Sequence, residues 1–248
     1  MRFSLLFTFV ILSTIVFGQT KDMSIDFIGS FDYAGFTENN RTFTNNSGVT
    51  DLSAGQKGVY TYRVGANFNF RIFEKVMFKT GIRFASLGDN FYMDDLRWPS
   101  QIGDNGFEAE PSLPTYINII TKHRYIEVPL IVRYEINNKK LSPFIEFGLA
   151  PHLYINTKSI NKTNLGRDSQ IINYSEFATG FNKLQLAAVV SFGANYNVSE
   201  MVQAFVQPTL RYHINRQTDN QSSTRFYSIG IEFGVRKMFG SYFNNEKV

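Results

Sequence analysis

Three histidines, His123, His152 and His213, are the only imidazoles in this 248-residue chain, and it has no cysteine. The absence of thiols excludes disulfides, Cys-ligated zinc, iron–sulfur clusters and thiol catalysis. Metal or acid–base chemistry would have to run through His, Asp and Glu. A divalent metal needs three or four convergent ligands. His123 and His152 lie on either side of a short turn that brings them within about two residues of direct opposition, with Glu127 as a third donor. They are the metal candidates, weighed against the plainer reading of polar interior histidines, and the balance favours no metal and no cofactor. A Ser–His–carboxylate or Asp–His set near an outer rim could hydrolyse lipids or peptides. The segment from Gly88 to Thr121 carries Asp89, Asp94, Asp95, Asp104, Glu108 and Glu110 without the spacing of an EF-hand loop. The same segment holds Phe91, Tyr92, Trp98 and Phe107. Aromatics of this kind suit a contact surface for an envelope protein or glycan.

The elements that must position these groups are strands. Residues 1–18 combine Arg2, an apolar run and Gly18 before polar Gln19, Thr20 and Lys21, the pattern of a secretory signal peptide. Beyond it the hydrophobic period is two. From Val59 to Phe73 one parity reads Tyr60, Tyr62, Val64, Ala66, Phe68, Phe70, Ile72 and the other Thr61, Arg63, Gly65, Asn67, Asn69, Arg71. Similar separation predicts strands near 23–35, 76–87, 123–136, 144–155, 183–197, 201–214 and 225–237, eight in all with the first. Connections alternate between long (37–57, 88–121, 157–181) and short (73–75, 137–140, 197–200), with a medium one at 215–224. An up-and-down meander then has every tight turn at one end and every long loop at the other, as outer-membrane barrels do with periplasmic turns and extracellular loops.

Alternation alone does not say which face is inside, and a soluble barrel with an apolar interior competes. Strand length and aromatic placement decide the expectation. The runs exceed the roughly 9 to 11 residues that cross the apolar layer, whereas soluble strands average about five or six. The apolar stripe carries Tyr33, Tyr60, Tyr62, Tyr212 and Tyr227 at the loop end and Phe70, Phe78, Tyr134 and Tyr196 at the turn end, two girdles flanking an aliphatic band. The interior then receives Arg63, Arg71, Lys79, Arg83, Arg133, Lys183, Arg211 and Arg236, eight cations, against Asp26, Asp32, Glu127, Glu135, Glu146 and Glu232, six anions. In so narrow a barrel they should interlock as a polar network, built chiefly on Arg63, Arg83, Glu127, Arg133, Glu146, Arg211, Glu232 and Arg236, rather than line a channel. The lipid-facing stripe has no His and almost no carboxylate, which argues against a lipid-acting rim enzyme. Pro151 and Pro208 fall inside predicted strands, where bulges or breaks are expected.

The segment Tyr125-Ile126-Glu127-Val128-Pro129-Leu130, followed by a short turn and Ser142-Pro143-Phe144 through Gly148 to Pro151, resembles the PorT-like, porin-family outer-membrane proteins. The resemblance covers about 30 residues in motif and implies a fold and a location, not an activity. Unlike many such proteins the chain does not end on an aromatic, since residues 240–248 follow Phe239. The expected organisation is a signal peptide at 1–18, a barrel at 19–240 and a short periplasmic tail at 241–248. The expected fold is all-β, an eight-stranded antiparallel transmembrane barrel. The expected role is non-catalytic, structural or accessory, in an envelope or secretion assembly, with a narrow pore as the alternative. Its partners would be outer-membrane lipids, the barrel-assembly machinery and an envelope protein at the extracellular loops. Scattered Lys and Arg leave no footprint for nucleic acid.

Overall fold

The computed structural model describes residues 23–37, 42–45, 48–51, 56–94, 96, 102–103, 106–107, 110–137, 140–173, 182–217 and 225–239. The expected signal peptide, the tail and Trp98 lie outside the described residues. The strands are β1 (Met23–Thr37), β2 (Thr42–Asn45), β3 (Gly48–Asp51), β4 (Gln56–Phe73), β5 (Val76–Met93), β6 (Ile102–Gly103), β7 (Gly106–Phe107), β8 (Ile117–Glu127), β9 (Leu130–Glu135), β10 (Leu141–Thr163), β11 (Gly166–Asn173), β12 (Leu184–Asn197), β13 (Val202–His213) and β14 (Arg225–Phe239).

Each of the main strands pairs antiparallel with its sequence neighbour, β1 pairs with β14, and β10 pairs with β8 and β9, so the sheet closes on itself. β8 and β9 occupy one strand position, because both lie between β5 and β10 in a continuous register. Eight strand positions form the ring, as alternation and loop lengths predict. Closure removes the edges of the ring and satisfies its backbone within the sheet, which a lipid environment demands. At the turn end the ladder continues from one hairpin to the next: Glu135 N donates to Lys75 O at 2.8 Å and Asn197 N to Lys140 O at 2.9 Å.

The two faces of the ring are inverted relative to a soluble protein. Phe31 (71% exposed), Ile82 (66%) and Phe192 (65%) point outward, while Arg63, Lys79, Arg133, Glu127, Glu146 and Glu232 are completely buried within. Tyr33 and Tyr60 meet edge-on at 5.5 Å in the upper girdle, and Phe70 pairs with Phe78 in the lower one. The long loops are partly strand. β10 runs on to Thr163 and folds back through β11, while β2–β3 and β6–β7 form small hairpins of their own.

Of the two strand prolines, Pro208 acts as expected and Pro151 does not. Pro151 causes no bulge: its register with β12 is unbroken and its carbonyl accepts from Val128 N at 2.9 Å. Pro129 lies almost opposite, and neither proline has a donor to offer, so pairing lapses between β8 and β9 without a slip. The bulge sits higher, between Tyr154 and Asn156. Pro208 does break a ladder, between the Ser191–Thr209 and Ala194–Val206 pairs of β12 and β13.

Gly148, in the motif that follows the turn, faces inward where a Cβ would collide with the Leu130 carbonyl oxygen and reach within 2.7 Å of Ile131 Cα. Gly148→Val is therefore expected to cost about 1 to 3 kcal/mol through overpacking against a neighbouring strand that cannot move. Urea titration of the refolded barrel in detergent, followed by heat-modifiable gel migration, measures it.

Candidate functional site: the filled lumen

The inward stripe delivers side chains from every strand position to one narrow bore, and their contacts cross it. At the turn end Arg71 meets Glu135 at 3.0 Å, and Arg236 reaches Glu135 at 3.5 Å while forking onto Asp26 through Nε at 2.7 Å and Nη2 at 3.2 Å. One layer up, Lys79 bridges Asp26 and Glu146, and Arg133 Nε donates to Glu146 at 2.6 Å. The Arg133 guanidinium also stacks on Phe144 at 3.7 Å and bonds Asn195 and Gln207 on the far wall. Gln207 Nε2 donates to both Glu146 (3.0 Å) and Glu232 (3.1 Å), tying this layer to the next.

In the middle, Arg83 spans Glu127 (3.2 Å) and Glu232 (3.1 Å). Arg211 spans Glu232 (2.7 Å) and Asp32 (3.1 Å). Arg63 spans Asp32 (2.6 Å) and Glu127 (3.0 Å). Each guanidinium thus serves two carboxylates and each carboxylate two guanidiniums, a cyclic arrangement that uses the planar fork of arginine as lysine could not. All eight residues expected to form the lumen network are in it.

The predicted cationic excess is not. Lys183 is exposed at the rim and Arg71 only part-buried. Among the described residues the buried charges of the network are Arg63, Lys79, Arg83, Arg133, Arg211 and Arg236 against Asp26, Asp32, Glu127, Glu135, Glu146 and Glu232, six against six, with Arg71 a part-buried seventh cation on Glu135. The correction has a simple cause: parity assigns a face, but height along the strand decides whether a long side chain stays inside or reaches water. In a site of low dielectric an unmatched charge is costly, so the balance stabilises the closed arrangement.

The histidines are at the loop end, but not as a pair of ligands. His123 stands opposite Thr157 and His152 opposite Glu127, so the expected near-opposition of His123 and His152 is lost. β9 and β10 are consecutive antiparallel strands as expected, and the two residues simply occupy different rungs. His123 Nδ1 lies 2.6 Å from Thr157 Oγ1 and its Nε2 2.9 Å from Gln217 Nε2. His152 Nδ1 faces the Ala150 carbonyl at 2.7 Å and its Nε2 faces Glu127 at 2.9 Å. His213 lies against the His152 ring at 4.8 Å. Among the described residues no group of three or more His, Cys, Asp or Glu is arranged to hold a metal ion. The lumen serines Ser30, Ser191 and Ser228 bond Asp32, Glu146 and Arg63 rather than an imidazole.

Above the ionic layers Leu87, Tyr125, Tyr154 and Phe226 form an apolar cap with Ala34 and Ala85, and Ile28, Phe144 and Phe205 form a second cluster near the turn end. Sequence reading missed these inward apolar residues because it sought polar groups on that parity. The motif Tyr125-Ile126-Glu127-Val128-Pro129-Leu130 gains a physical meaning here: Tyr125 and Glu127 are fully buried in the lumen, and Val128 and Leu130 face outward. Of the loop aromatics, Phe91 and Tyr92 are adjacent on β5 and so point to opposite faces, with Tyr92 6.2 Å from Tyr116. Phe107 is in β7, and Trp98 lies outside the described residues.

A family profile described as outer membrane protein beta-barrel domain matches residues 17–215. No curated protein sequence matches the chain. Solved structures similar to it include Neisserial surface protein A (11% identity, 88% of this chain and 97% of that one, TM-score 0.45). Others are outer membrane protein OprG from Pseudomonas aeruginosa (12%, 89% and 97%, 0.41) and the outer membrane protease OmpT from Escherichia coli (10%, 89% and 98%, 0.40).

Proposed function

This chain belongs to the outer membrane β-barrel domain family and resides in the cell outer membrane, and from that premise we propose that it is a sealed, non-catalytic barrel with a structural or accessory role. The observation that carries this reading is the cross-bore network. Arg83 on β5 bonds Glu232 on β14, Arg63 on β4 bonds Ser228 on β14, and Arg133 on β9 bonds Gln207 on β13. These are not neighbouring strands, so the bonds cross the interior, and the five largest fully buried side chains are Arg63, Arg83, Arg133, Arg211 and Arg236. A barrel of this size has room for side chains or a channel but not both.

The resemblance of the Tyr125–Leu130 segment to PorT-like proteins supports service in an envelope or secretion assembly, with the extracellular extension of β8, β10 and β11 offered to a partner. Planar-bilayer recording tests the sealed state. Purified protein is expected to give no steady conductance at neutral pH, and stable single-channel steps that change on Arg63→Gln or Arg211→Gln would replace this reading with a pore.

A further inference from the structure

Above the girdle, the outward face of β8, β10 and β11 places like charges directly opposite one another. Lys122 is the register partner of Lys158, and their ammonium groups repel. Arg124 is two residues nearer the membrane on the same face of β8. Further out, Lys162 is the register partner of Arg167. Opposed like charges destabilise a cross-strand pair, and among the described residues no carboxylate is a register partner of Lys122, Arg124 or Lys158. The outward positions of β5 at this level are Ser86, Gly88 and Asn90, those of β10 Asn156 and Ile160, and those of β11 Ser169 and Ile171. None of Lys122, Arg124 or Lys158 forms an ion pair among the described residues.

Their height is set by the neighbours. Val128 and Ile126 carry the aliphatic band up β8 to Arg124, and Leu149 and Leu153 carry it up β10 to the bulge. Lys122 Nζ donates to the carbonyl of Tyr60, a girdle residue, at 3.1 Å. The three cations therefore start where the hydrocarbon layer ends, at the depth of lipid headgroups on the extracellular side. Lysine and arginine here can hold a phosphate by charge-assisted hydrogen bonds while their stems lie along the apolar wall.

We propose that Lys122, Arg124 and Lys158 form a docking site for the phosphate-bearing headgroup of an outer-leaflet glycolipid. Its acyl chains would lie on the aliphatic face of β8–β10 below, and the Lys162–Arg167 pair would reach the more distal sugar region. The bound phosphate would relieve the repulsion that the bare protein carries.

The test uses the full-length mature barrel refolded in detergent and titrated with purified lipid A bearing both phosphates, or with the same lipid after enzymatic dephosphorylation, and retention is read by native mass spectrometry. Wild type is expected to retain the phosphorylated lipid and not the dephosphorylated one. The triple change Lys122→Ala, Arg124→Ala, Lys158→Ala is expected to weaken retention on the order of a hundredfold, about fivefold per charge. Lys237→Ala, at the opposite end of the barrel, is expected to leave it unchanged.

Lys158→Glu separates binding from folding, because it turns the repulsive pair into an attractive one. Thermal stability in lipid-free detergent should rise while lipid retention falls. Equal retention by the triple variant, equal retention of dephosphorylated lipid, or binding of a soluble sulfated polysaccharide in place of lipid A would overturn the assignment.

Discussion

Changing Glu127 to alanine is expected to destabilise the barrel by about 3 to 5 kcal/mol, the cost of breaking a buried ionic cluster by removing one partner. Glu127 is fully buried and contacts Arg63 at 3.0 Å, Arg83 at 3.2 Å and His152 at 2.9 Å. Its loss leaves two guanidiniums facing each other inside the filled bore with only Asp32 and Glu232 to share. Denaturant unfolding of refolded protein in detergent gives the magnitude. The double change Glu127→Ala, Arg83→Ala supplies the control, since restoring charge balance should recover part of the loss. If the single variant proves as stable as wild type, the ion-pair network is not what holds the lumen.

An arginine at the middle of the outward band has the other large effect, roughly 2 to 4 kcal/mol for a cation near the bilayer midplane. Val190 (54% exposed) pairs with Phe147 and Leu210, and Leu130 (42%) with Leu149 and Thr80, so each has an apolar register partner on the lipid-facing side. Val190→Arg and Leu130→Arg should lower stability in bilayers, whereas Val190→Leu should not. Ser191 is no neutral comparison. Its hydroxyl donates to Glu146 at 3.1 Å, so Ser191→Ala removes a charge-assisted bond within the lumen. In this Cys-free chain single cysteines at Val64, Val190 and Ile231 should carry fluorophores quenched by lipid-borne spin labels, and quenching at Arg63, Ser191 and Glu232 instead would invert the barrel.

Sequence alone determined the eight strand positions of the ring and their two faces, but not the strands within the long loops. The period of two is a local property: Arg63 and Arg71 share a parity, Tyr62 and Phe70 the other, whatever the partners turn out to be. Loop lengths likewise settled which ends meet. It also named the charges that would be buried, because a polar stripe on a membrane strand has only the interior to occupy. What it could not reach were relations between strands distant in the chain. Arg236 and Asp26, 210 residues apart, meet because β14 closes on β1, and Arg83 finds Glu232 only across the bore. The same holds for the histidines. Their parity was legible, but the rung each occupies depends on register, which placed His152 on Glu127 and separated it from His123. The Lys122–Lys158 opposition follows from that register and from a bulge at Tyr154 that no proline marks. Closure and register sum small offsets over every strand of the ring, so only the folded barrel decided which charges touch.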